Sequence, residues 1–161
     1  MRHYKLQASQ AAANGGFTDL WVVGHADLTT ATDNTAQTLT LDALEMGDLV
    51  GYTALAEIRE AFDAANVSAD NALTVSLGVT GATTQFIGAS ALTAAGVGTA
   101  VKTGYAPAAG GAPYYTPSGG KDILATFTIT DADGALADFS TGEIGIWLII
   151  NRWASRSQMQ A

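Results

Sequence analysis

Hydrophobic and polar residues alternate at period two in several separate stretches of this chain. Leu73, Val75, Leu77 and Val79 are interleaved with Thr74, Ser76 and Gly78, and Ile123, Ala125, Phe127 and Ile129 with Leu124, Thr126, Thr128 and Thr130. Successive side chains of an extended strand point to opposite faces, so this spacing predicts strands with one face in a core. Thr38 to Leu41 alternates in the same way, and Phe17 to Leu28, with Leu20, Trp21, Val22 and Val23, predicts a first strand ending near Gly24 to Asp27. Met46, Gly47 and Asp48 mark a turn. Leu49 to Phe62 fits two periods: Leu55, Ile58 and Phe62 sit at helical spacing, while Val50, Tyr52, Ala54, Ala56, Ile58 and Phe62 sit at strand spacing. The turn signals at both ends and the strand that follows favour one long strand.

Ile144, Ile146, Leu148 and Ile150 alternate against Gly145, Trp147 and Ile149, so the last strand is apolar on both faces. Such a strand is central in its sheet or covered by a partner. Strands spaced by turn clusters predict an all-β single domain, an antiparallel β-sandwich of jelly-roll-like form, over residues 17–153. Residues 1–16 read as an extended N-terminal arm and 154–161 as a C-terminal tail. Gly81 to Gly120, rich in Ala, Gly, Thr and Pro, reads as a long loop inserted in the sandwich, with a short helix near Ala89 to Ala95. Loops of that length are usually functional or ordered by a partner.

Composition narrows the function. A chain of 161 residues is about one domain, able to bury roughly two-thirds of the surface its unfolded form exposes. Only 14% of residues are charged, against about a quarter in an ordinary domain, and from Asn71 to Gly120 the single charge is Lys102. A body so poor in charge is expected to conceal part of its surface against other chains. There is no cysteine, hence no disulfide and no thiolate metal site. The apolar run Ile144 to Ile150 is too short to span a bilayer, and no apolar segment follows Arg2 and Lys5 as in a signal peptide. No membrane partner is expected.

Charge is partitioned. Residues 1–16 hold Arg2 and Lys5 and no acid, 144–161 hold Arg152 and Arg156 and no acid, and 17–143 hold all fifteen carboxylates for a net charge of −12. The ends either fray as ordinary solubility charge or dock on an acidic neighbour. A net charge of −8 with no basic stripe makes nucleic acid a poor candidate, and no nucleic-acid partner is expected.

Each motif that could carry chemistry breaks at a named residue. Gly88, Ala89, Ser90, Ala91 starts like a nucleophile elbow but continues with Leu92 where glycine is needed. Gly96, Val97, Gly98 has Val101 in place of the third glycine of a dinucleotide fingerprint, and Gly119, Gly120, Lys121 is followed by Asp122 where a phosphate loop has Ser or Thr. Asp131, Asp133, Gly134 and Asp138 resemble the opening of a calcium loop, yet its twelfth position is Gly142, so a hairpin turn accounts for them. His25 and Asp27 share a strand face without a nucleophile at a familiar spacing, and the pairs Glu57 with Glu60 and Asp131 with Asp133 lack a cleft of stacking aromatics. Trp21, Trp147 and Trp153 read as core, and Asn66 is a glycosylation acceptor only in a secreted chain. No catalytic, cofactor-binding or metal-ligating residue is expected, and no enzyme.

One succession carries a family likeness: Glu60, Ala61, Phe62, Asp63; Leu73 to Gly78; Gln85, Phe86, Ile87, Gly88, Ala89; Gly104, Tyr105; Ile123 to Phe127; and a final apolar strand. Over roughly residues 48–152 the chain resembles small β-rich virion structural proteins of tailed bacteriophages, of the capsid decoration or cement type. The sequence departs from that pattern in having no acid between Val79 and Thr84 and a longer insertion at Ala106 to Gly120. The resemblance implies a protein made in the host cytoplasm and carried on the capsid exterior, clamping subunits of the major capsid protein and associating with copies of itself as a dimer or trimer. Arg2, Lys5, Lys102, Tyr105, Tyr114, Tyr115, Arg152 and Arg156 are the residues expected to touch those partners. The rival reading is a head-fibre or tail-associated module binding host-surface glycans through Tyr114 and Tyr115.

Overall fold

The computed structural model describes residues 1–65, 73–92, 100–103 and 114–152. It is an antiparallel β-sandwich. In chain order the elements are β1 (Arg2–Lys5), α1 (Ala8–Ala13), β2 (Asp19–Gly24), β3 (Ala36–Leu44), β4 (Leu49–Asp63), β5 (Leu73–Val79), β6 (Ala82–Ala91), β7 (Ala100–Thr103), β8 (Tyr114–Tyr115), β9 (Lys121–Ile129) and β10 (Thr141–Asn151). One sheet runs β1-β2-β10-β4-β7, with β8 also pairing β4, and the other runs β3-β9-β5-β6. No helix among the described residues is long and apolar enough to cross a membrane.

The period-two stretches become the facing inner surfaces. Trp21 and Val23 of β2, Val50, Ala54, Ala56 and Ile58 of β4, and Ile144, Ile146, Leu148 and Ile150 of β10 line one side of the core. Leu73, Val75, Leu77 and Val79 of β5 and Ile123, Ala125, Phe127 and Ile129 of β9 line the other. Burial of each large side chain here is worth about 1.5–3 kcal/mol. The strand period prevails over the helical one in β4 because Ala54, Ala56 and Ile58 are buried at spacings of two in phase with buried Val50 and half-buried Tyr52, with Glu57 on the other face opposite Gly145. Trp21 ties the layers together, its indole N–H donating across the core to the Leu41 carbonyl at 3.0 Å.

Four sequence expectations change. Within the expected 81–120 loop, residues 82–91 form β6, 100–103 form β7 and 114–115 form β8. β6 hides from a period count because its pairing with β5 slips twice, between Val75 and Leu77 and again between Leu77 and Val79, so that adjacent Phe86 and Ile87 are both buried. The helix expected near Ala89 to Ala95 is strand up to Ala91, and 93–95 lie outside the described residues. The segment after β9 is not a hairpin: it carries the chain from one sheet to the other, with Asp131 capping the Asp133 N–H and Asp138 that of Ala135. The N-terminal arm is an edge strand followed by a short exposed helix, since β1 pairs with β2 along its whole length. The C-terminal tail, Trp153 and Asn66 lie outside the described residues.

Gly142 has φ of +129°, and a Cβ there would stand 2.2 Å from the Phe62 ring, at a point where the β10–β4 register slips. Gly119 has open space around it. Gly142→Ala is therefore expected to lower stability by at least about 2 kcal/mol and Phe127→Ala by about 3–5, while Gly119→Ala stays within about 1 kcal/mol of the parent. Urea unfolding of the three variants checks this, and a silent Gly142→Ala would refute the packing described.

Candidate functional site

Two surfaces gather polar or aromatic groups, and both depend on how β1 lies on β2. The register His3↔Trp21 and Lys5↔Asp19 puts His3 and Lys5 on the core side of the sheet edge, while Arg2↔Val22 and Tyr4↔Leu20 put Arg2 and Tyr4 outside.

On the inner side, the His3 ring stacks on Trp21 with centroids 4.3 Å apart, and its Nε2 lies 2.9 Å from Oδ1 of Asp19. Asp19 is buried, and its other oxygen accepts the Thr18 hydroxyl at 2.7 Å. Asp42 arrives from the facing sheet, where the β3–β9 register slips between Thr40 and Asp42, and it pairs with Arg152 at the end of β10. The Arg152 guanidinium also lies 4.0 Å from buried Asp48. Donor atoms of His3, Asp19 and Asp42 fall within 4.8 Å of one another. Beside them a shallow cleft of about 190 Å³ is lined by Lys5, Leu6, Thr18, Asp19, Ile150 and Arg152.

The outer face carries an apolar row. Tyr4↔Leu20, Leu20↔Trp147 and Trp147↔Leu55 are successive cross-strand partners, so these four side chains line up across β1, β2, β10 and β4. Phe17 packs against Trp147 at 6.1 Å, and Arg59 lies 6.0 Å from the centre of the Trp147 ring. Trp147, Leu55 and Phe17 are half-buried and Tyr4 is exposed. Trp147 is therefore not core, as its sequence context suggested, and its indole N–H is shielded from water with no hydrogen-bond partner among the described residues. A buried donor left unpaired costs about 1–3 kcal/mol.

The expected contact residues scatter. Arg2 pairs with Glu143, which Arg59 also approaches at 3.8 Å, and Arg152 pairs with Asp42. Lys5 and Arg152 meet at the cleft, Tyr114 is exposed beside Gly51, and Tyr115 turns inward to pack edge-on against Phe86 at 5.9 Å. Burial, and then the neighbouring Tyr52, raise the Tyr115 hydroxyl pKa above its usual 10.0. Lys102 lies in β7, and Tyr105 and Arg156 are outside the described residues. Sequence reasoning missed His3, Asp19 and Asp42, whose positions along the chain give no ligand spacing, and the outer row, whose only signal was the two-sided apolar β10. No protein-family model, curated protein or solved structure matches the chain.

Asp27 does not pair with His25 but with the N-terminal amine. Burial alone would raise its pKa; the hydrogen bond from the amine, the Gly24 N–H at 2.9 Å and the charges of the amine and Arg2 outweigh it, so the carboxyl titrates below its usual 3.8. A depressed carboxyl contributes stability that is full above the unfolded pKa and is lost as pH falls through the folded one. Asp27→Asn is expected to lower the melting temperature at pH 7 and to flatten its fall below about pH 4, measured by thermal melts from pH 7 to 2. An unchanged acid limb would show that the amine contact does not hold β1.

Proposed function

We propose that the chain is a virion structural protein of the capsid decoration type, docking on the exterior of a tailed-phage head and bridging neighbouring major capsid subunits through the outer face of its six-stranded sheet. The observation that supports this reading is the cross-strand row Tyr4, Leu20, Trp147 and Leu55, partly open to solvent and holding an indole donor without an acceptor among the described residues. Shape and chemistry suit a clamp: a rigid two-layer body gives a fixed platform, and an amphipathic indole at the middle of an apolar patch is a favoured interface anchor. The contact is moved from the chain ends to this face because Arg2 and Arg152 are occupied by acids of the same chain. A copy of the chain seated on the same face would make the dimer or trimer. The chain's acidity, a net charge of −8, favours a neutral or basic partner and disfavours nucleic acid.

The test uses particles of the phage that encodes the chain. The protein should co-purify with heads, and expanded heads stripped of it should rebind the parent chain. Trp147→Arg and Leu55→Arg should each weaken rebinding at least about tenfold while the folded chain keeps its circular-dichroism spectrum. Absence of the chain from purified particles would overturn the proposal. So would binding of the isolated chain to a glycan array without binding to heads, which would favour host recognition through Tyr114.

A further inference from the structure

We propose that His3, Asp19 and Asp42 form a divalent-cation site of one imidazole nitrogen and two carboxylate oxygens, clipping the edge strand β1 to both sheets of the sandwich. The three donors come from three strands, β1, β2 and β3, and from both layers. Atoms mutually within 4.8 Å share a point no more than about 2.8 Å from each, so shifts of at most about 0.8 Å bring all three to the roughly 2.0–2.2 Å of zinc bonds.

What surrounds the triad favours a cation over a plain hydrogen-bonded cluster. Both carboxylates are held from outside the triad, Asp19 Oδ2 by the Thr18 hydroxyl, Asp42 Oδ2 by Arg152 and Asp42 Oδ1 by the Ala43 N–H at 2.9 Å. A carboxylate oxygen that accepts one hydrogen bond still has a second lone pair for an ion, and such outer partners are what orient metal-bound carboxylates. The His3 imidazole is fixed in plane by its stack on Trp21, whose own N–H is anchored on Leu41, the residue preceding Asp42. The register slip that sets Leu41 toward the core turns Asp42 to the triad, and bulges commonly re-aim a side chain in this way. Asp19 is buried and borders the cleft, which gives an ion a route in and leaves room for water in the remaining coordination positions.

The donor set selects the ion. One imidazole with two carboxylates suits zinc or another borderline transition ion, while magnesium and calcium prefer sites of oxygen alone. Two carboxylates match a divalent charge, with Arg152 shared between Asp42 and Asp48 on the outer side. Because the ligands stand at positions 3, 19 and 42, bound metal joins parts of the chain that come together only on folding, and its binding free energy adds to stability.

The experiment takes the chain without a histidine tag, stripped with EDTA. Zinc titration by calorimetry should give one site per chain. At about a hundredfold excess over Kd the melting temperature should rise roughly 5–10 °C, with magnesium giving no comparable shift. His3→Gln, Asp19→Asn and Asp42→Asn should each weaken zinc binding at least about tenfold, whereas Asp133→Asn should not. Should buried Asp19→Asn fail to fold, His3→Gln on the edge strand and Asp42→Asn, each with a metal-free melt close to the parent's, carry the test. Absence of heat and of any melting shift in the parent chain overturns the site, as does a zinc response retained by both His3→Gln and Asp42→Asn.

Discussion

Strand β10 must satisfy two neighbours and two faces at once, and the rest of the six-stranded sheet is arranged around that demand. Its backbone is paired on one side by β2 and on the other by β4. Its inner residues Ile144, Ile146, Leu148 and Ile150 fill the core against β5 and β9, while its outer residues Gly145, Trp147 and Ile149 face away. A strand hydrogen-bonded on both edges cannot turn its second apolar face inward, because side chains alternate strictly about the pleat. The apolar outer row follows from this constraint. Leu20 and Val22 are buried there between their neighbours, yet Trp147 is only half-covered.

Electrostatics do the opposite of what the charge partition suggested. Basic ends and an acidic middle looked like arms for an acidic neighbour. In the fold the middle is that neighbour: the amino terminus meets Asp27, Arg2 meets Glu143, and Arg152 meets Asp42 and Asp48. Exposed pairs of this kind contribute about 0–1 kcal/mol each, but the two at the amino terminus and Arg2 act together with the His3–Asp19 hydrogen bond on a four-residue edge strand that buries little of itself. They also blunt a sheet edge that would otherwise present unpaired backbone groups to another chain. The two proposals above rest on opposite sides of the same strand pairing.

The legible parts of the sequence were those whose signal is local. Leu73 to Val79 and Ile123 to Ile129 declare strands because residues two apart share a face whatever lies opposite. β4 was ambiguous by propensity but not by burial, since its turn-rich flanks left room for an extended segment only. β6 was illegible because two register slips destroy alternation, and the segment after β9 was misread because turn residues mark a reversal without saying which sheet receives the chain. The candidate sites were less legible still. Tyr114 and Tyr115 look equivalent in sequence, yet the pleat sends one toward solvent and the other onto Phe86.

The sequence by itself determined that this is an all-β sandwich, and it determined which residues of β5 and β9 face inward, because alternation is a property of a strand's own backbone. Only the tertiary structure decided that β10 lies between β2 and β4, that Arg2–Lys5 pairs along β2, and that His3, Asp19 and Asp42 converge. The reason is the order of the strands: pairing across a sheet, and across two sheets, depends on crossovers that bring distant positions together. No periodicity along the chain encodes them.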